Sequence, residues 1–513
     1  MRVKVFLTII PSILFLISVA GAQQSGSCAS LTGFKAAGVE ITKAAPIAAG
    51  TTEPNSWGPG RSAPLPAYCR VEGVINRRTG AGGEEFGIRF ALAMPEKWNG
   101  DFLMQGGGGG NGVVYPPLGL NAAGETPGLM RGFAVVSTDT GHKSHSGPFD
   151  FGFMKDQQAY LDFAYLANPE VATLAKQLVA QYYGKPAAYS YFSGCSTGGR
   201  EGMILSQRYP TIFNGIISGD PAMRTGLSNL AIGQWIPVAF NQIAPKDTEG
   251  KPIITQAITD NDRKLIAEAL LNECDAKDGL ADGLISDPLS CAFDPAAIMC
   301  RDGKSDSCLD PKKVAAIKKA LGGPKTAEGI QVYPSFLYDT GLTASGPIRG
   351  ILVLGPGIFG PPPTAMEVDV AKEALKDVQP LVDSMSTNLT TFSANGGKII
   401  FYHGDSDPWF SPLDTFGYYK DMVEANGGLE TVSKWSRFYF VPGMSHCGGG
   451  SALDQFDFLG AMVDWVEKGM APTSVIATGK AFPGRSRPLC PYPKHAQYKG
   501  QGATEDAKSF ECR

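Results

Sequence analysis

Gly194-Cys195-Ser196-Thr197-Gly198 offers a serine hydroxyl between small residues, and His446 and Asp407 offer a base and an acid that could activate it. Such a set performs acyl transfer: the imidazole takes the serine proton, the carboxylate holds the imidazole in one tautomer, and the oxygen attacks a carbonyl. The G-x-S-x-G pattern alone is weak, because any tight turn from a strand into a helix has a similar composition. Its flanks carry the reading. The strand-prone run 189–192 enters the pattern, and Met203, Leu205 and Ser206 leave it at helical spacing, the setting of a nucleophile elbow. Only small residues fit beside the serine there, and its oxygen stands at a helix N-terminus where negative charge is favoured.

The histidines are at 142, 145, 403, 446 and 495. In the order nucleophile, acid, histidine, the base lies in a loop after the last strands. His446 fits, in Pro442-Gly443-Met444-Ser445-His446-Cys447, just after the strand-like run 437–441. The acid belongs after the preceding strand, where Tyr402-His403-Gly404-Asp405-Ser406-Asp407-Pro408 supplies two carboxylates. Asp407, fourth in the G-x-x-D turn, is preferred to Asp405, although both could simply cap the turn. Upstream, the run 102–105 empties into five glycines, Asn111 and Gly112. No Lys-Ser or Lys-Thr follows for a phosphate loop, and a linker has no place between two core strands. An oxyanion loop fits better, with one of its amides joining that of Thr197.

Positioning these groups requires parallel strands that end in functional loops. Runs at 68–74, 86–92, 102–105, 133–139, 213–220, 398–402 and 437–441 read as strands, with helices over 160–183 and 456–468. Apolar strands alternating with helices indicate an α/β fold, a mostly parallel sheet covered on both faces. Residues 26–70 read as loop-rich. Between 221 and 392 the character changes: four cysteines, an Asp-rich loop, helices at 259–271 and 311–321, and Pro361-Pro362-Pro363. This segment reads as a lid domain inserted between the two parts of the core, 23–220 and 393–513.

Residues 1–22 read as a secretory signal, with Arg2 and Lys4 before an apolar core and Ala20-Gly21-Ala22 as the cleavage site. No later stretch is long and apolar enough to span a bilayer. With a net charge of −4, nothing points to nucleic acid or an anionic membrane. A secreted product, extracellular or periplasmic, is expected; Asn388-Leu389-Thr390 is a glycosylation sequon only in a eukaryotic host. Ten cysteines in an exported chain imply up to five disulfides. Spacing suggests Cys274–Cys291, Cys300–Cys308, Cys490–Cys512 and Cys28–Cys69, which leaves Cys195 with Cys447; sequence alone does not fix connectivity. The last pair would flank Ser196 and His446 directly. Asp275, Asp278 and Asp282, in a glycine-containing loop after Cys274, suit a hard cation such as calcium, or else a solvated Asp-Gly loop.

The Gly-Cys-Ser-x-Gly-Gly elbow, Cys-Asp-x-x-Asp-Gly-x-x-Asp-Gly, His-Gly-x-Ser-Asp, Pro-Gly-Met-x-His-Cys and the terminal Arg487-Pro488-Leu489-Cys490-Pro491-Tyr492-Pro493 together resemble the tannase and feruloyl esterase family, over nearly all of the chain beyond the signal. That resemblance implies an α/β-hydrolase core with a lid and a Cys195–Cys447 disulfide. It implies a structural calcium on the side chains of Asp275, Asp278 and Asp282 and the carbonyls of Leu280 and Leu284. It also implies oxyanion donors at Gly109 and Thr197, and His403 lining the substrate pocket. Members that cleave terephthalate monoesters carry an aromatic lid segment with an arginine for a free carboxylate. The equivalent 341–364 here is mostly Gly, Pro and aliphatic, with Arg349 its only basic residue. Hydroxycinnamoyl or galloyl esters are therefore the expected substrates. Terephthalate monoesters and simple aryl esters are the alternative. A non-catalytic binding protein would have lost a member of the triad, and none is lost.

Overall fold

The computed structural model describes residues 27–55, 60–301, 303, 306–346, 348–354, 363–377 and 379–513. The expected signal segment, 1–22, and Pro361-Pro362 lie outside the described residues.

Nine strands form one sheet: β1 (Val39–Ile47), β2 (Tyr68–Thr79), β3 (Glu85–Pro95), β4 (Phe102–Gln105), β5 (Ala134–Thr138), β6 (Ser190–Cys195), β7 (Gly215–Gly219), β8 (Lys398–Gly404) and β9 (Ser436–Val441). Their order is β1-β2-β3-β5-β4-β6-β7-β8-β9. The first three strands and the β3–β5 pair run antiparallel; from β5 to β9 every pairing is parallel. The strand β1 falls within 26–70, where a loop was expected. It is an edge strand with no fully buried residue, so its side chains follow no clear inside–outside alternation.

The central strands read as continuous apolar runs because both of their faces are covered. Alternate residues serve opposite faces. Phe192, Ile216, Ile399, Phe401 and Phe438 join a core with Val171, Leu174 and Leu178 of helix α1 (Ala167–Tyr183). Tyr191, Ile217, Ile400, Tyr402 and Tyr439 join another with Phe458, Met462 and Trp465. Helix α2 (Thr197–Arg208) follows β6.

The chain leaves the sheet at Gly219 and returns at Lys398, the residue paired with Gly215 in the neighbouring strand. The excursion builds a third core, to which α3 (Asp260–Cys274) contributes Ile266 and Leu270 and α4 (Pro311–Leu321) contributes Ile317 and Leu321. After β8 come α5 (Pro412–Ala425) and, after β9, α6 (Phe458–Lys468). No described helix is long and apolar enough to cross a membrane.

Candidate active site

The chemistry-bearing residues gather where the parallel strands end. The glycine tract follows β4, Ser196 follows β6, Asp220 follows β7, Asp407 follows β8 and His446 follows β9. Ligands of open α/β sheets sit in this crevice beyond the carboxyl ends of the strands.

At the elbow, Ser196 alone separates β6 from α2, and its backbone has φ 64° and ψ −124°. A non-glycine residue rarely adopts this geometry, and the surroundings must hold it. Its amide donates to Gly219 O at 3.0 Å, and the Ala222 amide donates to its carbonyl at 3.0 Å. A β-carbon on Gly194 would lie 2.6 Å from Gly198, and one on Gly199 would lie 2.2 Å from Gly219 O. Ser196 keeps partial exposure while its neighbours from 191 to 200 are buried.

His446 Nδ1 and Asp407 Oδ2 are 2.7 Å apart, and both side chains are buried. The imidazole's Nε2 is buried with no hydrogen-bond partner among the described residues, so it is not yet bonded to Ser196. Such contacts often tighten only with substrate bound. Asp407 Oδ1 accepts the amides of Trp409 at 2.8 Å and Phe410 at 3.1 Å. Burial works to raise the Asp407 pKa, but the charges and hydrogen bonds of His446 and His403 outweigh it and hold the carboxyl well below the usual range. The turn bearing His446 is closed by an antiparallel bridge between Met444 and Gly450. Cys195 and Cys447 are joined, with Cα atoms 6.0 Å apart. The other bridges are Cys28–Cys69, Cys274–Cys291, Cys300–Cys308 and Cys490–Cys512.

His403, expected at the pocket wall, instead lies behind Asp407 with no exposed surface. Its Nδ1 is 2.9 Å from Thr415 Oγ1, and its Nε2 is 3.0 Å from Phe410 O, 3.3 Å from Asp407 Oδ2 and 3.7 Å from Asp220 Oδ1. Burial opposes a second proton on this ring, yet Asp220 and Asp407 carry its pKa above the ordinary value. Asp220 itself is pushed up to about 6, first by burial. Spacing gave no hint of its part, because its partners Gly404 and His403 lie far along the chain. The rings of Trp409 and Phe410 pack on His446, with centroids 4.5 and 5.3 Å away, and Phe149 stands edge-on to Trp409 at 6.4 Å. His142 is no rival base: it is buried, stacked 3.5 Å from Phe153, and burial lowers its pKa to about 4.

Thr197 opens α2, so its amide has no partner within the helix. Neither it nor the Gly109 amide donates to a protein group among the described residues. The Thr197 hydroxyl donates to Gly109 O, which brings the two backbones together. Gly109 has φ +59°, and a β-carbon there would lie 2.2 Å from Pro148 O.

The loop after Cys274 presents the carboxylates of Asp275, Asp278 and Asp282. The amides of Asp282 and Gly283 donate to Asp275 at 3.1 and 2.9 Å, and that of Leu280 to Asp278 at 3.2 Å. Burial pushes Asp278 up to about 6, and the charges of Asp282 and Asp275 add to it. Asp275 and Asp278 are buried, and carboxylates that resist one another's ionisation have the oxygen chemistry a hard cation prefers. Asp282 is also paired with Arg487 and, at 3.8 Å, with Arg485.

The family described as tannase and feruloyl esterase matches residues 69–354 and 363–513. The chain is 36% identical over 520 residues to mono(2-hydroxyethyl) terephthalate hydrolase of Piscinibacter sakaiensis, covering 88% of this chain and 85% of that one. It is 30% identical over 449 residues to feruloyl esterase B of Aspergillus niger, covering 82% of each. Among solved structures, an esterase from Aspergillus oryzae superposes with a TM-score of 0.76 at 25% identity, covering 95% of this chain and 100% of that one. A strained serine beyond a parallel strand, a buried His–Asp pair beyond the next loops, and matches of this extent lead to one assignment. The chain belongs to the tannase and feruloyl esterase family and is a carboxylic ester hydrolase.

Proposed function

We propose that this protein is an exported serine esterase that cleaves aromatic acyl esters, hydroxycinnamoyl or galloyl, through an acyl-enzyme on Ser196. The carrying observation is His446, whose Nδ1 is held by Asp407 while its buried Nε2 lacks a partner. The bridge to Cys447 ties this histidine to the residue before Ser196. His446 Nε2 takes the Ser196 proton as Oγ attacks the ester carbonyl. The oxyanion is met by the amides of Gly109 and Thr197, a donor of this kind being worth roughly 3 kcal/mol of barrier. His446 then protonates the leaving alcohol, and water attacks the acyl-enzyme by the same route in reverse. Trp409 and Phe149 provide apolar faces for an aromatic acyl group.

Calcium takes no part in these steps. Asp275, Asp278 and Asp282, with the carbonyls of Leu280 and Leu284, would hold it, and it would neutralise carboxylates that otherwise repel. Export rests on the leader at 1–22 and fits five disulfides.

The likeness to the terephthalate monoester hydrolase supports a second reading, that such monoesters are substrates. Arg349 is the only basic residue of the segment 341–364, so its sequence offers a free carboxylate few cationic partners there. Turnover of methyl ferulate, methyl gallate and mono(2-hydroxyethyl) terephthalate by one purified preparation separates the readings. Ser196→Ala should lose turnover of every substrate, by about four orders of magnitude or more, with its melting temperature nearly unchanged. An acyl group trapped on a residue other than Ser196 would overturn the mechanism.

A further inference from the structure

The glycine tract after β4 is gripped from outside its own turn. The Gly107 amide donates to Glu201 Oε2 at 3.1 Å, and Asn111 Nδ2 donates to Glu201 Oε1 at 2.6 Å. Glu201 lies in α2, one turn beyond Thr197, and is 2% exposed. Its two oxygens therefore hold both ends of the turn that carries Gly109, from the helix that carries Ser196 and Thr197. The turn is closed by the Asn111 amide donating to Gly108 O at 3.0 Å, with Asn111 at φ 52°. A β-carbon on Gly107 would lie 2.7 Å from the Asn111 side chain, so the turn packs tightly onto the clamp. Arg200, 1% exposed and donating to Phe163 O and Ala164 O at 3.1 and 3.0 Å, sets a positive charge beside the carboxylate.

From these contacts we infer that Glu201 is a positioning residue for the oxyanion, a clamp that fixes the amide of Gly109 relative to that of Thr197. The inference rests on the serine-esterase reading above. Glu201 touches no reacting atom and acts through Gly107 and Asn111. One hydrogen bond would let the glycine turn pivot; two, at opposite ends, stop both sliding and rotation. A ground-state carbonyl makes small demands on those amides, whereas the tetrahedral oxyanion needs both at once. Loosening the clamp should therefore lower kcat and spare KM.

The test uses the full-length protein, 4-nitrophenyl acetate as substrate and phenylboronic acid as a tetrahedral probe of the serine. Glu201→Gln faces an amide group toward two donors and loses one bond; Asn111→Ser removes the other end without burying a new charge. Each should lower kcat about tenfold to a hundredfold, since an error near 1 Å costs on that order. KM should stay within about twofold, and boronate affinity should fall by the same factor as kcat. The double variant Glu201→Gln/Asn111→Asp reverses the polarity of one bond and keeps both: Gly107 donates to the new amide oxygen, whose nitrogen donates to the new carboxylate. It should return kcat to within about threefold of the parent, whereas a merely structural contact would restore melting temperature without that split. If Glu201→Gln does not fold, Asn111→Ser carries the same expectation. Both single variants within twofold of parent kcat, or a loss that the double variant does not recover, would overturn the clamp. Ser196→Ala, run alongside, reads the other failure: if it still turns over, the serine reading falls and the clamp with it.

Discussion

Asp407 serves two imidazoles and two amides with one carboxylate. Oδ1 accepts Trp409 and Phe410, while Oδ2 faces both His446 and His403. In Asp407→Asn the shape survives, but an amide nitrogen can face His446 Nδ1 and turn the ring to the wrong tautomer. A fall in kcat of roughly 10⁴ is expected, measured on a variant whose melting curve shows it folded. Activity within tenfold of the parent would move the acid elsewhere. Asp405 is where it would first be sought, and its surroundings argue against it. Both its oxygens are buried without a partner among the described residues, and burial, with the charges of Asp339 and Asp220 adding to it, drives its pKa far up. The sequence could rank these two carboxylates only by turn position. It could not reveal the roles of Asp220, Glu201 or Thr415, whose partners lie 12 to 184 residues away.

At the scale of elements, the elbow was legible because its rule is local: small residues around one strained serine between a strand and a helix. The turn bearing His446 was less so. Its run of glycines suggests a slack loop, but the Met444–Gly450 bridge and the Cys195–Cys447 disulfide both close it. Closing a loop of 252 residues stabilises the fold by roughly 5 kcal/mol in the chain-entropy picture. Replacing both cysteines with serine should therefore lower the melting temperature and cut kcat more than it raises KM. Equal loss in both would mean that the bridge serves stability alone. The strand β1 was missed for an equally physical reason, since an edge strand with one half-wet face shows little alternation. For the loop after Cys274, excess chelator should lower the melting temperature of the intact protein, and added calcium should restore it. An unchanged melt, with no metal found by elemental analysis, would leave a solvated loop.

The molecule as a whole is a sheet with chemistry at one end of its strands and an acid pair near the other. Asp101, just ahead of β4, is pushed up to about 7, first by burial and then by Glu467. Glu467 also accepts the Tyr191 hydroxyl at 2.8 Å. The unfolded chain releases the Asp101 proton near pH 4, whereas the folded chain holds it to near pH 7. This group's share of stability is thus complete below about pH 4 and is lost as pH rises toward 7. Melting from pH 4.5 to 8 should fall less steeply in Asp101→Asn than in the parent, and identical slopes would discount the pair. The cores on the two sheet faces follow from alternation in the strands, so the architecture was readable; the pairing of Asp101 with Glu467 was not, because it joins the residue ahead of β4 to the distant helix α6. A chain also has a direction in time. Among the described residues, four bridges close over 41, 17, 8 and 22 residues, each within reach soon after its second cysteine is made. Cys195 must wait 252 residues for Cys447. Ser196 is thus synthesised long before His446, and the bridge between their neighbours can form only where thiols are oxidised. On the mechanism proposed above, full activity should wait until Cys447 has been made and oxidised, so protein kept reduced should cleave esters more slowly than the same protein after oxidation.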